Sequence, residues 1–148
     1  MSDFTDIYTT TEEHEAFRAA VREICDEKVA PNAAAADEAA EFPQASFDAL
    51  RKADFHAPHI PEQYGGVGAD ALATVIVIEE VARACASTSL IPAVNKLGTV
   101  PLLLSGSTQI KSEFLPPVAS GEAMFSYCLS EPEAGSDAAS MSTRAVRD

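Results

Sequence analysis

The groups in this 148-residue chain that can do chemistry fall in a few short stretches. Residues 127–137 read YCLSEPEAGSD, an apolar aromatic run that meets a proline turn and then a bend of small residues. Backbone N–H groups at such a corner can point outward as free donors, which suits an anionic or carbonyl-bearing ligand; a plain turn is the alternative. The glycines of Gly65-Gly66-Val67-Gly68 lack the Lys-Ser/Thr ending of a phosphate loop and follow no strand, so they read as a flexible loop between two helices. His56 and His59 are three apart, but Pro58 intervenes and no acid or cysteine joins them at ligand spacing, so no metal site is expected. No serine sits in a GxSxG elbow or has an obvious histidine partner. Cys128 lies in the apolar run without a basic neighbour and reads as packing, not as a nucleophile. Glu79 and Glu80 read as a solvent-facing pair on a helix.

The elements that must position these groups are mostly helices. Thr10 or Thr11 can cap a helix with Glu12 and Glu13 in its first turn, and Phe17, Val21 and Ile24 recur on one face, with Val29 drifting off it. Pro31 is expected to end that helix and Asn32 to cap an alanine-rich one. Pro43 suits the first turn of a short helix carrying Phe47 and Leu50, with Phe55 just beyond. Residues 56–70 hold two prolines and three glycines and read as loop. Residues 75–78 are β-branched, yet the length of the segment and the polar face of Glu79, Glu80 and Arg83 favour helix over strand.

Ser87 or Ser89 then caps an apolar helix stopped by Ser105-Gly106, and Ser107 or Thr108 caps one through Leu115, closed by Pro116 and Pro117. After Gly121, AMFSYCLS reads as a strand, and STRAVRD as the start of another. An opened sheet with a bare edge is a liability, so a fragment or truncated gene product is expected.

Composition sets the outer limits. At 47% hydrophobic and 22% charged the chain is globular, with a length that suits one domain or two small ones. Ten Lys+Arg against 23 Asp+Glu give a net charge of −13, which argues against nucleic acid and against an anionic membrane surface. Three scattered cysteines fit free, mostly buried thiols in a reducing compartment. The N-terminus has no apolar or arginine-rich targeting pattern, and the longest apolar run, residues 71–78, is far short of the roughly 20 residues a bilayer needs. A soluble, cytoplasmic protein is the expectation.

Residues 127–137 resemble the flavin-binding signature of the acyl-CoA dehydrogenase family. Three other blocks agree in order and spacing: IPEQYGGVGAD at 60–70, VIEEVARACASTSL at 77–90 and GSTQIKSEFLPPVASGE at 106–122. The resemblance implies a mainly α fold: an N-terminal helical domain over residues 1–121, then the first strand or strands of a truncated middle β-barrel domain carrying the flavin signature over 122–148. It implies FAD as cofactor and α,β-desaturation of an acyl-CoA thioester. A carboxylate takes the α-proton, the β-hydrogen leaves as hydride to the flavin, and electrons pass to an electron-transferring flavoprotein. A homo-oligomer is the family norm.

By that resemblance Tyr127, Cys128, Leu129, Ser130, Gly135 and Ser136 form the cofactor-binding stretch. Donors there would stabilise the charge a flavin gains on accepting hydride. Ser136 matches a contact to the CoA portion. Leu90, Val94 and Leu97 match the acyl-pocket lining, with ordinary helix core as their alternative reading. Glu133 stands where the family usually has a small residue and adds negative charge near the flavin edge. No catalytic residue is assigned, since Glu131 and Glu133 lie in a turn without the desolvated geometry a general base needs. The base and the adenine-side contacts would lie beyond residue 148, so the chain is expected to be inactive alone. The alternative is a non-catalytic helical module that assembles with a separate, complementing chain through its open sheet edge.

Overall fold

The computed structural model describes residues 9–147. Residues 1–8, read above for a targeting signal, and Asp148, which ends the second expected strand, lie outside the described residues. Thr11 caps α1, Glu12–Ile24, with its hydroxyl accepting from the His14 N–H at 3.1 Å. Pro31 does not end this helix. The chain widens into a π-helical turn, Cys25–Val29, and runs on as α2, Ala30–Ala39. A π turn takes more residues per revolution than an α turn, so it rotates the drifting Val29 back toward the core, and Val21, Cys25 and Val29 are all fully buried. Pro31 is tolerated within the first two residues of α2, where an N–H is dispensable. Asn32 caps nothing; its Nδ2 donates back to the Lys28 carbonyl at 2.8 Å.

Helix α3, Gln44–Lys52, buries Phe47 and Leu50. The loop of residues 56–70 is cross-braced by backbone bonds: Gly68 N–H to Ile60 O and Ala69 N–H to Pro58 O, both at 2.8 Å. Gly66 is required there, because a Cβ would stand 2.1 Å from the Ile60 carbonyl oxygen. Asp70 caps α4, Ala71–Ala84, accepting from the Ala73 N–H at 2.7 Å. Within α4 the β-branched run is helical, with Ile76 and Val77 buried. Helix α5, Ala86–Ser105, starts at Cys85 instead of at Ser87 or Ser89, and ends at Gly106 as expected. Ser107 caps α6, Thr108–Ala119. Pro116 and Pro117 lie inside α6: proline loses its donor but keeps its acceptor, and their carbonyls take the N–H groups of Ser120 and Ala123, both at 3.0 Å.

Helix α1 packs on α4, α4 on α5, and α5 on α6. One apolar core gathers Val21, Cys25, Val29, Leu50, Val77 and Val81; another gathers Ile60, Leu115 and Val118 with Phe125 packed against it. Among the described residues, no helix is long and apolar enough to cross a membrane.

The expected strand at 123–130 does not form. Among the described residues the only β pairing is an isolated bridge between Glu131 and Ala134. A strand is stable only beside a neighbour, and this segment crosses α5 instead. The fold is mainly helical, and the start of a β-domain is not seen in it.

Candidate functional site

Helix α5 is the platform of the site, and segment 123–127 is laid over it. Asn95, 1% exposed, joins three parts of the chain: its Oδ1 accepts from the Phe125 N–H at 3.1 Å, and its Nδ2 donates to the His56 carbonyl at 3.0 Å. One helical turn on, Gly98 lets the segment close in. A Cβ there would lie 2.7 Å from Phe125 Cβ and 3.3 Å from the Ser126 carbonyl oxygen. Sequence reading passed over both residues. A polar side chain and a glycine three apart inside an apolar helix were the signal.

The crossing leaves a groove on each side. One, of about 290 Å³, is lined by Phe42, Leu90, Val94, Phe125 and Ser126. The other, of about 330 Å³, is lined by Lys96, Leu97, Val100, Pro101 and Tyr127. Leu90 is 59% exposed and Leu97 48% exposed, so neither is helix core; Val94 is half-buried. The structure therefore brings Leu90 and Val94 beside Ser126, and Leu97 beside Tyr127.

Beyond Tyr127 the chain is open. Cys128, expected to pack, is exposed because no sheet covers it. Ser130, Gly135 and Ser136 are exposed, Leu129 is half-buried, and a Cβ at Gly135 would meet nothing within 4 Å. Glu131 is fully engaged. Its Oε2 accepts from the Ser142 N–H at 2.7 Å and the Ser142 hydroxyl at 3.0 Å, and its Oε1 from the Thr143 N–H at 2.8 Å. The Ser142 N–H, helped by Thr143, holds this carboxyl at about 2. Glu133 is exposed in the same turn.

Two imidazoles support the platform, His56 buried and His59 half-buried. His56 Nε2 donates to the Val118 carbonyl at 2.9 Å, and His59 Nε2 donates to the Thr99 hydroxyl at 2.6 Å, which in turn donates to the Asn95 carbonyl at 2.6 Å. Burial lowers both imidazoles, His59 to about 4, where Lys96 also disfavours the charged form. The histidines thus act as neutral props between the 56–70 loop, α5 and α6. Glu80, expected to face solvent, is 2% exposed and ringed by Arg18, Arg22 and Arg83 from α1 and α4. Only the tertiary approach of α1 shows this. In sequence those arginines are ordinary surface residues.

The N-terminal domain of acyl-CoA dehydrogenases matches residues 11–122. A probable acyl-CoA dehydrogenase of Mycobacterium tuberculosis is 57% identical over 143 residues, which is 97% of this chain and 37% of that protein. The solved glutaryl-coenzyme A dehydrogenase, in complex with glutaryl-CoA, superposes with a TM-score of 0.81 at 30% identity, covering 91% of this chain and 35% of its own. An acyl-CoA dehydrogenase complexed with FAD from Bacillus anthracis gives a TM-score of 0.77 at 27% identity, covering 89% of this chain and 23% of its own. The chain spans 37% of the length of the curated relative just described.

Proposed function

Because this chain belongs to the acyl-CoA dehydrogenase family, matching its N-terminal domain, we propose that it supplies the helical wall and the flavin-facing corner of an enzyme that desaturates acyl-CoA thioesters between Cα and Cβ. FAD is the oxidant in this reading, and an electron-transferring flavoprotein takes the electrons. The observation that carries it is the crossing of segment 123–127 over α5, which sets Leu90 and Val94 in one groove and Leu97 and Tyr127 in the other.

The corner fits a flavin. Tyr127 is 40% exposed, and the missing side chain of Gly135 leaves its backbone open to a flat ring. When bound, the flavin supplies the acceptor for the hydride leaving Cβ. Ser130, Gly135 and Ser136 would hold its polar edge, their exposed hydroxyl and N–H groups being donors able to stabilise the negative charge gained there. Ser136 also reaches the CoA portion, and Leu90, Val94 and Leu97 line the acyl chain. No carboxylate of this corner serves as base. Glu131 is saturated by three donors, and Glu133 is solvated and adds unfavourable charge near the cofactor. Turnover by this chain alone is therefore not expected.

A stripe of Leu90, Leu97 and Leu104 along α5, 59%, 48% and 79% exposed, favours cover by further polypeptide, in the same or a complementing chain or in a homo-oligomer. Titration of the 15N-labelled chain with FAD tests the reading. Shifts are expected at residues 127–130, Gly135 and Ser136, and a medium-chain acyl-CoA should then leave the flavin absorbance unbleached. Shifts confined to other residues would refute the cofactor assignment, and bleaching would refute inactivity.

A further inference from the structure

We propose that Glu131 is a positioning residue of this corner: its carboxylate clamps residues 142–143 against the turn at 131–134 and so sets the direction of the Gly135 and Ser136 N–H groups. The flavin part of this inference rests on the function proposed above; the clamp itself does not.

Glu131 works in two directions. Through its backbone it closes a tight turn, its N–H donating to Ala134 O at 2.8 Å and its carbonyl accepting from the Ala134 N–H at 3.2 Å. Through its side chain it takes two successive backbone N–H groups, one on each carboxylate oxygen, at 2.7 Å and 2.8 Å, with the Ser142 hydroxyl added at 3.0 Å. A bidentate hold of this kind fixes direction as well as distance, and charge strengthens each bond. No strand ladder shares the task, since the Glu131–Ala134 bridge is the only β pairing among the described residues.

Residues 135–141 are thus a loop closed at both ends by one residue. Ala134, at its start, is 4% exposed and anchors the turn, and Asp137 accepts from the Ser140 hydroxyl within it. Such a short closed loop has few conformations left, so donors at Gly135 and Ser136 are oriented before any ligand arrives. The residue that sequence reading weighed as a base is here a strut.

Glu131→Gln tests this with little change of shape. The amide removes the charge and turns one acceptor oxygen into a donor that faces a backbone N–H. In 1H–15N spectra at neutral pH, the Ser142 and Thr143 amide protons should move upfield in E131Q, and the Gly135 and Ser136 signals should move with them. Glu133→Gln, two residues on in the turn, should leave the Ser142 and Thr143 signals in place. Unchanged signals from Val77 and Val81 will show that the helical core stays folded. On addition of FAD, the apparent affinity read at Gly135 and Ser136 should fall about tenfold in E131Q, the scale of losing one charge-assisted bond.

Ser142 and Thr143 signals that stay put in E131Q would overturn the clamp. Equal FAD affinity in the two proteins would overturn its positioning role. If the wild-type chain shows no FAD-dependent shift, the flavin reading fails. The clamp is then upheld or refuted by whether Gly135, Ser136, Ser142 and Thr143 move together in E131Q.

Discussion

Arg22 grips Glu80 with both prongs of its guanidinium, Nε donating to Oε2 at 2.9 Å and Nη2 to Oε1 at 2.7 Å. The fork joins α1 to α4. Arg83 Nε adds a bond at 3.0 Å and Arg18 Nη1 one at 3.2 Å, so three guanidiniums replace the water that Glu80, 2% exposed, has given up.

Glu80→Ala strands those arginines without their shared partner. The expected loss is about 2 kcal/mol of stability, measured as a fall in the urea midpoint. Glu79→Ala, at a 61% exposed residue paired with Arg18, should cost far less.

The same carboxyl predicts an acid limit. Arg22 above all holds it at about 2 against an ordinary 4.5. A depressed carboxyl contributes fully above its unfolded value and progressively less as pH falls through the window down to 2. Thermal melts from pH 6 to pH 2 should show that loss in the wild type, and a flatter profile in Glu80→Gln.

His59 predicts a second, higher window. Burial, then Lys96, keeps it neutral down to about 4, whereas the unfolded chain takes the proton near 6.5. Between those values the unfolded state binds a proton that the folded state refuses, so stability falls as pH drops from 6.5 to 4 and is level above. His56, lowered by burial as well, adds to the same slope. His59→Gln should reduce the slope in that window and leave the lower one unchanged.

Asn95→Ala removes both of its tertiary bonds at a site 1% exposed, and should cost about 2 kcal/mol. It should also free segment 123–127, seen as faster proteolysis there.

Gly98→Ala separates packing from helix propensity. Alanine favours a helix over glycine by about 1 kcal/mol, yet its Cβ would lie 2.7 Å from Phe125 Cβ, a contact near the backbone that no side-chain rotation relieves. Net destabilisation is expected, with the Phe125 and Ser126 amide signals displaced.

The thiols should separate by reactivity. Cys128 is exposed, while Cys25 is fully buried and burial pushes it up to about 11. An aromatic disulfide reagent should find Cys128 reacting fast and Cys25 only on unfolding.

The helices were legible because local chemistry decides them. Thr11 and Ser107 are good caps wherever the chain goes, and periodic apolar residues mark one face of a helix; the cap at Asp70 was passed over. Family membership was legible for a similar reason: short motifs such as YCLSEPEAGSD keep their order whatever surrounds them. The prolines misled. Pro31 lies within the first two residues of α2 and Pro116-Pro117 in the last turn of α6, and the helix runs through both.

Tertiary structure alone decided the rest. Whether Glu80 meets water or three arginines depends on how α1 lies across α4, and a single stretch of sequence carries no distance between two helices. Whether 123–130 is a strand depends on a neighbour, because a ladder is a property of two segments. The roles of Asn95, Gly98 and Glu131 arise from residues far along the chain meeting in space. Local chemistry in the chain was enough to mark the helical segments, the caps at Thr11 and Ser107 and the family; packing decided where α5 begins, which charges are buried and which side chains face the grooves.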